Sequence, residues 1–194
     1  MRDVATDLAP TPGQTVGPFY GYALPYPGDA ELVAPGRADA VRLHGVVTDG
    51  EGAPVPDALL EIWQADPAGA VVARPGSLRR DGWTFTGWGR CATLDDGSYS
   101  FTTLRPGRTS DRQAPYVALT VFARGLLDRL QTRIYLPEER PGELAADPLL
   151  AALPPERRDT LVATADDDGF RFDLRLQGED ETVFLTHGPA RHDR

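Results

Sequence analysis

Lysine and asparagine are absent from this chain of 194 residues, which also has only one cysteine and three histidines. Without lysine, the chain cannot form a Schiff base with a carbonyl substrate or hold a nucleotide through a P-loop. A single cysteine excludes a disulfide within the chain and a cysteine-rich zinc site. All 20 basic residues are therefore arginine, a skew that is typical of codon bias in a GC-rich genome.

Long hydrophobic runs are missing too, since no segment approaches the roughly 18 apolar residues of a membrane helix. The N-terminal segment lacks the apolar core of a signal peptide, which together with the single cysteine predicts a cytoplasmic protein. The formal charge of −9 argues against sequence-independent binding to nucleic acid or anionic lipid. A content of 41% hydrophobic and 25% charged residues indicates one packed globular domain.

The chain does contain many short segments of alternating pattern, separated by turns rich in glycine and proline. Alternation in residues 98–104 and 170–177 predicts strands with one face toward a core, whereas the nearly continuous apolar run 116–123 predicts a strand buried on both faces. The expected strands are 41–48, 58–63, 98–104, 116–123, 132–136, 160–165, 170–177 and 181–186. Because no βα units alternate, this pattern predicts a mainly β chain folded as an antiparallel β-sandwich.

One helix and one arm complete the predicted organisation. Asp147-Pro148 is typical of a helix N-cap and first turn, and it predicts one short helix in the C-terminal third. Residues 1–40 are rich in proline and aromatic residues and poor in strand patterns. We therefore divide the chain into an N-terminal arm, 1–40, which packs on a partner or on its own sandwich, and the sandwich itself, 41–194.

The residues best able to bind a metal form no recognisable ligand pattern. His44 lies on the polar face of a strand and is predicted to be a surface residue, while His187 and His192 lie in a polar tail with unsuitable spacing. The acidic turn 166–169 lacks the spaced carboxylates of a calcium loop and is predicted to be a solvated hairpin turn. Cys91 is expected to be a buried core thiol, and the three tryptophans are expected to be core or interface side chains: Trp63, Trp83 and Trp88.

Two stretches carry a resemblance to a known family. The first extends from Leu43 to Gly69 and includes LHGVV and EIWQAD; the second is TPGQTVGPF, residues 11–19. Supporting motifs are GWGRCAT at 87–93, RPG at 105–107 and RFDLRLQGE at 171–179. In this order they resemble the intradiol ring-cleaving dioxygenases over nearly the whole chain, from about residue 11 to residue 186.

The resemblance implies a β-sandwich that holds non-haem Fe(III) through two tyrosines and two histidines. Such enzymes use O2 to open an aromatic ring between two hydroxylated carbons. Here the tyrosine positions are occupied by Val71 and Thr109, and the two positions of the His-x-His strand by Tyr116 and Ala118. Because valine and alanine have no donor atom, we expect this chain to bind no metal by itself.

The family includes enzymes built from two homologous subunits, and the lost ligands resemble those of the α subunit. The resemblance implies that a β subunit binds the iron, that the two chains form a heteromer of αβ units, and that 3,4-dihydroxybenzoate and O2 are the substrates. Four residues are implied to approach the substrate pocket of the partner: Thr15, Gly17, Pro18 and Arg133. An arginine there suits the carboxylate of the substrate.

Other interpretations stay open at the level of the sequence. The chain could be a non-enzymatic β-sandwich binding module, or a self-sufficient intradiol catechol dioxygenase that binds its own iron. Arg133 could equally be a strand-edge arginine in a surface ion pair, and Thr15 a hydroxyl that stabilises a turn.

Overall fold

The computed structural model describes residues 17, 20–72, 80–81 and 83–186. In this part of the chain nine strands form two sheets. The strands are β1 (Val41–Thr48), β2 (Leu59–Gln64), β3 (Trp88–Ala92), β4 (Ser98–Thr103), β5 (Val117–Phe122), β6 (Leu130–Ile134), β7 (Thr164–Asp166), β8 (Gly169–Arg171) and β9 (Leu174–Arg175). The helices are α1 (Tyr20–Ala23), α2 (Pro148–Ala151) and α3 (Pro155–Asp159). None of the helices described could cross a membrane.

The two sheets pack face to face around one main core. The first sheet has the strand order β4-β1-β8-β7, with β9 also paired to β1, and the second has the order β3-β2-β5-β6. Apolar side chains from both inner faces share one cluster, among them Leu43, Phe101, Ile62, Leu119 and Ile134. The predicted β-sandwich is therefore confirmed. Its pairing is antiparallel except where β1 pairs with β8 and β9 in parallel.

The second sheet leaves its outer face partly open. Along β5 the positions alternate between buried and half-buried, with Ala118, Thr120 and Phe122 on the outer side. The prediction of a strand buried on both faces is wrong, because alanine and phenylalanine at outward positions made the segment look uniformly apolar. This outer face carries two of the positions that the resemblance singled out.

The C-terminal third departs from the sequence pattern in two places. The predicted single helix is two helices: Asp147 caps α2 through Leu149 N and Leu150 N, and Pro155 then begins a separate α3. Residues 181–186 do not form the predicted strand, since their amides bond to different strands. Thr182 N donates to Arg175 O, whereas Leu185 N donates to Gln131 O, so no continuous ladder forms.

The end of the predicted arm packs on the edge of the chain's own sandwich. Leu32 N donates to Thr102 O in β4, and Arg90 N in β3 donates to Asp29 O. The Leu32 side chain is buried in the main core. Residues 29–33 thus join the edge strands of the two sheets. The division of the chain at residue 40 stays a prediction, because residues 1–16, 18 and 19 lie outside the described part.

Candidate functional site

A row of side chains crosses the outer face of the second sheet. Trp88 pairs with Trp63, Trp63 with Ala118, and Ala118 with Arg133, so all four side chains point to the same side. The indole of Trp63 is 51% exposed, whereas that of Trp88 is nearly buried. The Cα atoms of Trp63 and Arg133 are two strand spacings apart, which is about 10 Å. Because the Ala118 side chain between them is small, the surface is open there.

The guanidinium of Arg133 is held on two sides. Its central carbon lies 4.0 Å from the centroid of the Tyr116 ring, which is a cation–π contact. Its Nη1 donates to the hydroxyl of Tyr135 at 3.4 Å. Within the described residues no carboxylate lies at ion-pair distance from this side chain. The half-buried cation therefore has donors left for a ligand.

The Tyr135 hydroxyl that contacts Arg133 is itself bonded to a buried carboxylate, Asp147. Tyr135 is fully buried, and its hydroxyl donates to Asp147 Oδ1 at 3.2 Å. Asp147 is 1% exposed, and its Oδ2 accepts the backbone N–H of Ala114 at 3.0 Å. Burial raises the pKa of Tyr135 to about 12, so the hydroxyl keeps its proton at neutral pH.

The tyrosine positions implied by the resemblance lie on two loops that touch. Val71 follows the EIWQAD segment and is 75% exposed, and Thr109 is exposed on the loop after β4. Gly107 N donates to Asp66 O at 2.8 Å. The loops approach so closely that a Cβ on Gly69 would lie 1.9 Å from a backbone oxygen.

The four ligand positions do not fit an iron ion. Val71 and Ala118 offer no donor atom, and of the four only Thr109 and Tyr116 carry a side-chain oxygen. The ring of Tyr116 already faces the cationic group of Arg133, and a fixed cation disfavours a second one nearby. Among the described residues, no group of three or more His, Cys, Asp and Glu side chains could hold a metal.

Several motif residues have structural roles. Gln64 is buried between the sheets, where its Nε2 donates to Leu104 O at 2.7 Å and its Oε1 accepts from Thr103 Oγ1 at 2.8 Å. Asp66 Oδ1 accepts the amides of Ala68 and Ala70, and these two bonds shape the loop that leads to Val71. The EIWQAD motif therefore ties the sheets together and fixes this loop.

Of the four residues implied to approach a partner's pocket, Gly17 and Arg133 are described. Gly17 is exposed, and a Cβ placed on it would meet nothing within 4 Å. Thr15 and Pro18 lie outside the described residues. Arg133 lies beside Tyr116 and Ala118, so the structure brings a predicted pocket residue next to both positions of the His-x-His strand.

The histidine, the cysteine and the tryptophans occupy varied environments. His44 is half-buried on the other sheet, with Nε2 3.2 Å from Asp166 Oδ1; His187 and His192 lie outside the described part. The acidic turn at 166–168 is exposed, as predicted.

Cys91 is half-buried against the core, and burial raises the pKa of its thiol. Of the three tryptophans, only Trp88 is buried, on the outer face of the second sheet; Trp63 and Trp83 are exposed.

Sequence reasoning missed Tyr135 and the second role of Asp147. Tyr135 lies in the predicted strand 132–136, and its spacing of two residues from Arg133 is the only signal that the sequence offers. Asp147 was identified as a helix cap, and the cap is present. Its bonds to Ala114 and Tyr135 join residues distant in sequence, which no local pattern reveals.

Comparison with known proteins gives the family. A family model described as Dioxygenase matches residues 34–178. The chain is 41% identical to the protocatechuate 3,4-dioxygenase alpha chain of Burkholderia cepacia, over 93% of this chain and 98% of that protein. It is 32% identical to the beta chain of the same enzyme from the same organism, over 74% of this chain and 67% of that protein. The chain belongs to the intradiol dioxygenase family.

The fold is shared with a solved structure of low sequence identity. The dioxygenase domain of a carbohydrate-binding fusion protein from Streptomyces sp. SirexAA-E superposes with a TM-score of 0.55. The match covers 88% of this chain and all of that domain, at 24% identity. At this identity the likeness concerns the sandwich fold alone.

Proposed function

We propose that this chain is the α subunit of a protocatechuate 3,4-dioxygenase and binds no iron itself. In this proposal it completes the substrate pocket of a homologous β subunit, which holds Fe(III). The complex cleaves 3,4-dihydroxybenzoate with O2, and both oxygen atoms enter the product 3-carboxy-cis,cis-muconate. The observation that carries the proposal is the environment of Tyr116 and Ala118, where the guanidinium of Arg133 lies beside two positions that have no histidine.

The relatives support the same assignment. The protein from Burkholderia cepacia that matches over 93% of this chain is named an alpha chain. The beta chain of that enzyme matches over a smaller share of this chain and at lower identity. The likeness to both chains favours an enzyme assembled from two homologous subunits over a lone binding module.

The chain's own contribution is recognition of the substrate rather than oxidation. Arg133 supplies a planar cation for the carboxylate of 3,4-dihydroxybenzoate, in a charge-assisted contact. Thr15, Gly17 and Pro18 are assigned to the same pocket, because a glycine followed by a proline suits close approach to an aromatic ring. The oxidation itself would take place on the β subunit, where bound iron would supply the activation of the substrate.

Reconstitution tests this function. The chain is co-expressed with the β subunit from the same genome, and the complex is analysed for composition, iron content and O2 uptake. We expect co-purification, about one iron per αβ pair, and O2 uptake with 3,4-dihydroxybenzoate. The isolated chain is the control, and we expect it to contain no stoichiometric iron and to consume no O2.

Two outcomes would contradict the proposal. Stoichiometric iron and O2 uptake in the isolated chain would identify a self-sufficient dioxygenase. A chain that never co-purifies with the β subunit, and adds nothing to its activity, would be a separate binding module.

A further inference from the structure

We propose that Tyr135 and Asp147 are positioning residues that hold Arg133 in the orientation in which it meets the substrate carboxylate. The inference rests on the function proposed above. It adds two buried side chains that do not touch the substrate.

The first step is that Arg133 needs support. An arginine side chain has several rotatable bonds, so a free one would sample many orientations. Here the Tyr116 ring packs on one face of the guanidinium and the Tyr135 hydroxyl accepts from Nη1. A guanidinium has five N–H donors, and in the described part of the chain only the Tyr135 hydroxyl accepts from this one. The supported side chain thus keeps donors for a carboxylate.

The second step is that Asp147 fixes the hydroxyl of Tyr135. Since this hydroxyl accepts a hydrogen bond from Arg133, its own proton points elsewhere, and it points to Asp147 Oδ1. The Tyr135 ring is locked in a second core cluster with Leu150 and Leu161. The buried ring therefore sets the position of the Tyr135 hydroxyl oxygen. The hydrogen bond to Asp147 directs the lone pairs of that oxygen toward Arg133.

The third step is that Asp147 also sets the other support of Arg133. Its Oδ2 accepts the amide of Ala114, two residues before Tyr116. Its Oδ1 caps α2 through the amide of Leu149 at 2.9 Å. One buried carboxylate thus joins the segment that leads into β5 to the end of β6. Both groups that hold the guanidinium depend on it.

The test is a pair of matched variants in the assembled αβ complex. Tyr135→Phe keeps the ring and removes the hydroxyl. Tyr99→Phe is the control, because Tyr99, in β4 of the other sheet, is also buried and its hydroxyl donates to Phe172 O. KM and kcat are measured for 3,4-dihydroxybenzoate and for catechol, which lacks the carboxylate. An anaerobic titration with 3,4-dihydroxybenzoate gives Kd without turnover.

We expect Tyr135→Phe to raise KM and Kd for 3,4-dihydroxybenzoate about three- to tenfold, which is the scale of one hydrogen bond. The kcat for this substrate and the KM for catechol should stay within about twofold. Tyr99→Phe should leave both substrates unaffected. Asp147→Asn, which keeps one acceptor oxygen, should have a smaller effect on KM than Asp147→Ala.

The positioning role is overturned if Tyr135→Phe raises KM for both substrates equally, or changes neither. If Arg133→Ala raises KM for 3,4-dihydroxybenzoate while Tyr135→Phe does not, the positioning role fails and the proposed function stands. If the wild-type complex shows no activity at all, the proposed function fails instead.

Discussion

The central guanidinium carbon of Arg133 lies 4.0 Å from the centroid of the Tyr116 ring. Tyr116 is the position where the resemblance places the first histidine of a His-x-His pair. Ala118, the second position, is the cross-strand neighbour of Arg133. The guanidinium of Arg133 thus lies beside the two positions where the resemblance expects imidazole ligands.

Replacing Arg133 with alanine should weaken recognition of the substrate carboxylate. We expect kcat/KM for 3,4-dihydroxybenzoate in the reconstituted complex to fall by a few-fold to about a hundredfold, as for one or two charge-assisted hydrogen bonds. Steady-state kinetics check this. Arg129→Ala, which changes an exposed arginine just before the same strand, is the control and should have little effect. Unchanged kinetics for Arg133→Ala would make it an ordinary strand-edge arginine.

Restoring the two histidines should create a weak metal site that Arg133 opposes. Tyr116→His with Ala118→His places two imidazoles on one face at β5. At about 6 Å, a divalent ion and a guanidinium repel by about 1.4 kcal/mol even in water, which is about tenfold in affinity. Adding Arg133→Gln should therefore tighten zinc binding by at least that factor, as measured by calorimetry. Equal affinities would show that the cation does not affect this position.

Gly107→Ala should destabilise the fold by separating the loops that carry positions 71 and 109. A Cβ there would lie 2.4 Å from Gly69 N and from Pro67 O, and backbone atoms cannot move aside cheaply. We expect a loss of about 2–4 kcal/mol in the free energy of unfolding, measured with denaturant. Gly36→Ala is the matched control, since a Cβ on Gly36 meets nothing within 4 Å. Similar losses in both variants would contradict the loop contact.

Stability should fall at alkaline pH because of Tyr135. The unfolded chain releases the tyrosine proton near pH 10, whereas burial keeps the pKa of Tyr135 at about 12 in the folded chain. Between these values the unfolded state binds fewer protons, so the free energy of unfolding falls by up to about 1.4 kcal/mol per pH unit. Urea unfolding from pH 9 to 12 measures this slope. Tyr135→Phe should make this slope shallower. Part of the slope should remain in that variant, because burial also raises the pKa of Tyr99. An unchanged slope would refute the assignment to Tyr135.

The sequence predicted some strands closely, but the alternating segment 170–177 forms two short strands, β8 and β9, instead of one. Residues 41–48 form β1 over the predicted range because their alternation matches a half-buried strand. The pattern failed at β5, where Ala118 and Phe122 are apolar but point outward. Burial of such residues depends on which strands become neighbours, and that is set by long-range pairing rather than by local periodicity.

The site was only partly predictable for the same reason. The order of the motifs identified positions 71, 109, 116 and 118, and the structure brings Tyr116 and Ala118 beside Arg133. The link from Asp147 to Ala114 spans 33 residues. Nothing in the N-cap signal at Asp147 indicates that the same carboxylate has a second partner, because that bond exists only once the helix packs beside β5 and β6.

The buried amide of Gln64 gives the sandwich a mechanical property. It lies next to Trp63 in β2 and is bonded to Thr103 and Leu104 at the end of β4, so it connects the opposite sheets. Sliding one sheet over the other would break both hydrogen bonds. The buried amide of Gln64 would then have no partner, at a cost of about 1–3 kcal/mol. The two sheets are therefore tied to each other at this end of the sandwich, next to the exposed indole of Trp63.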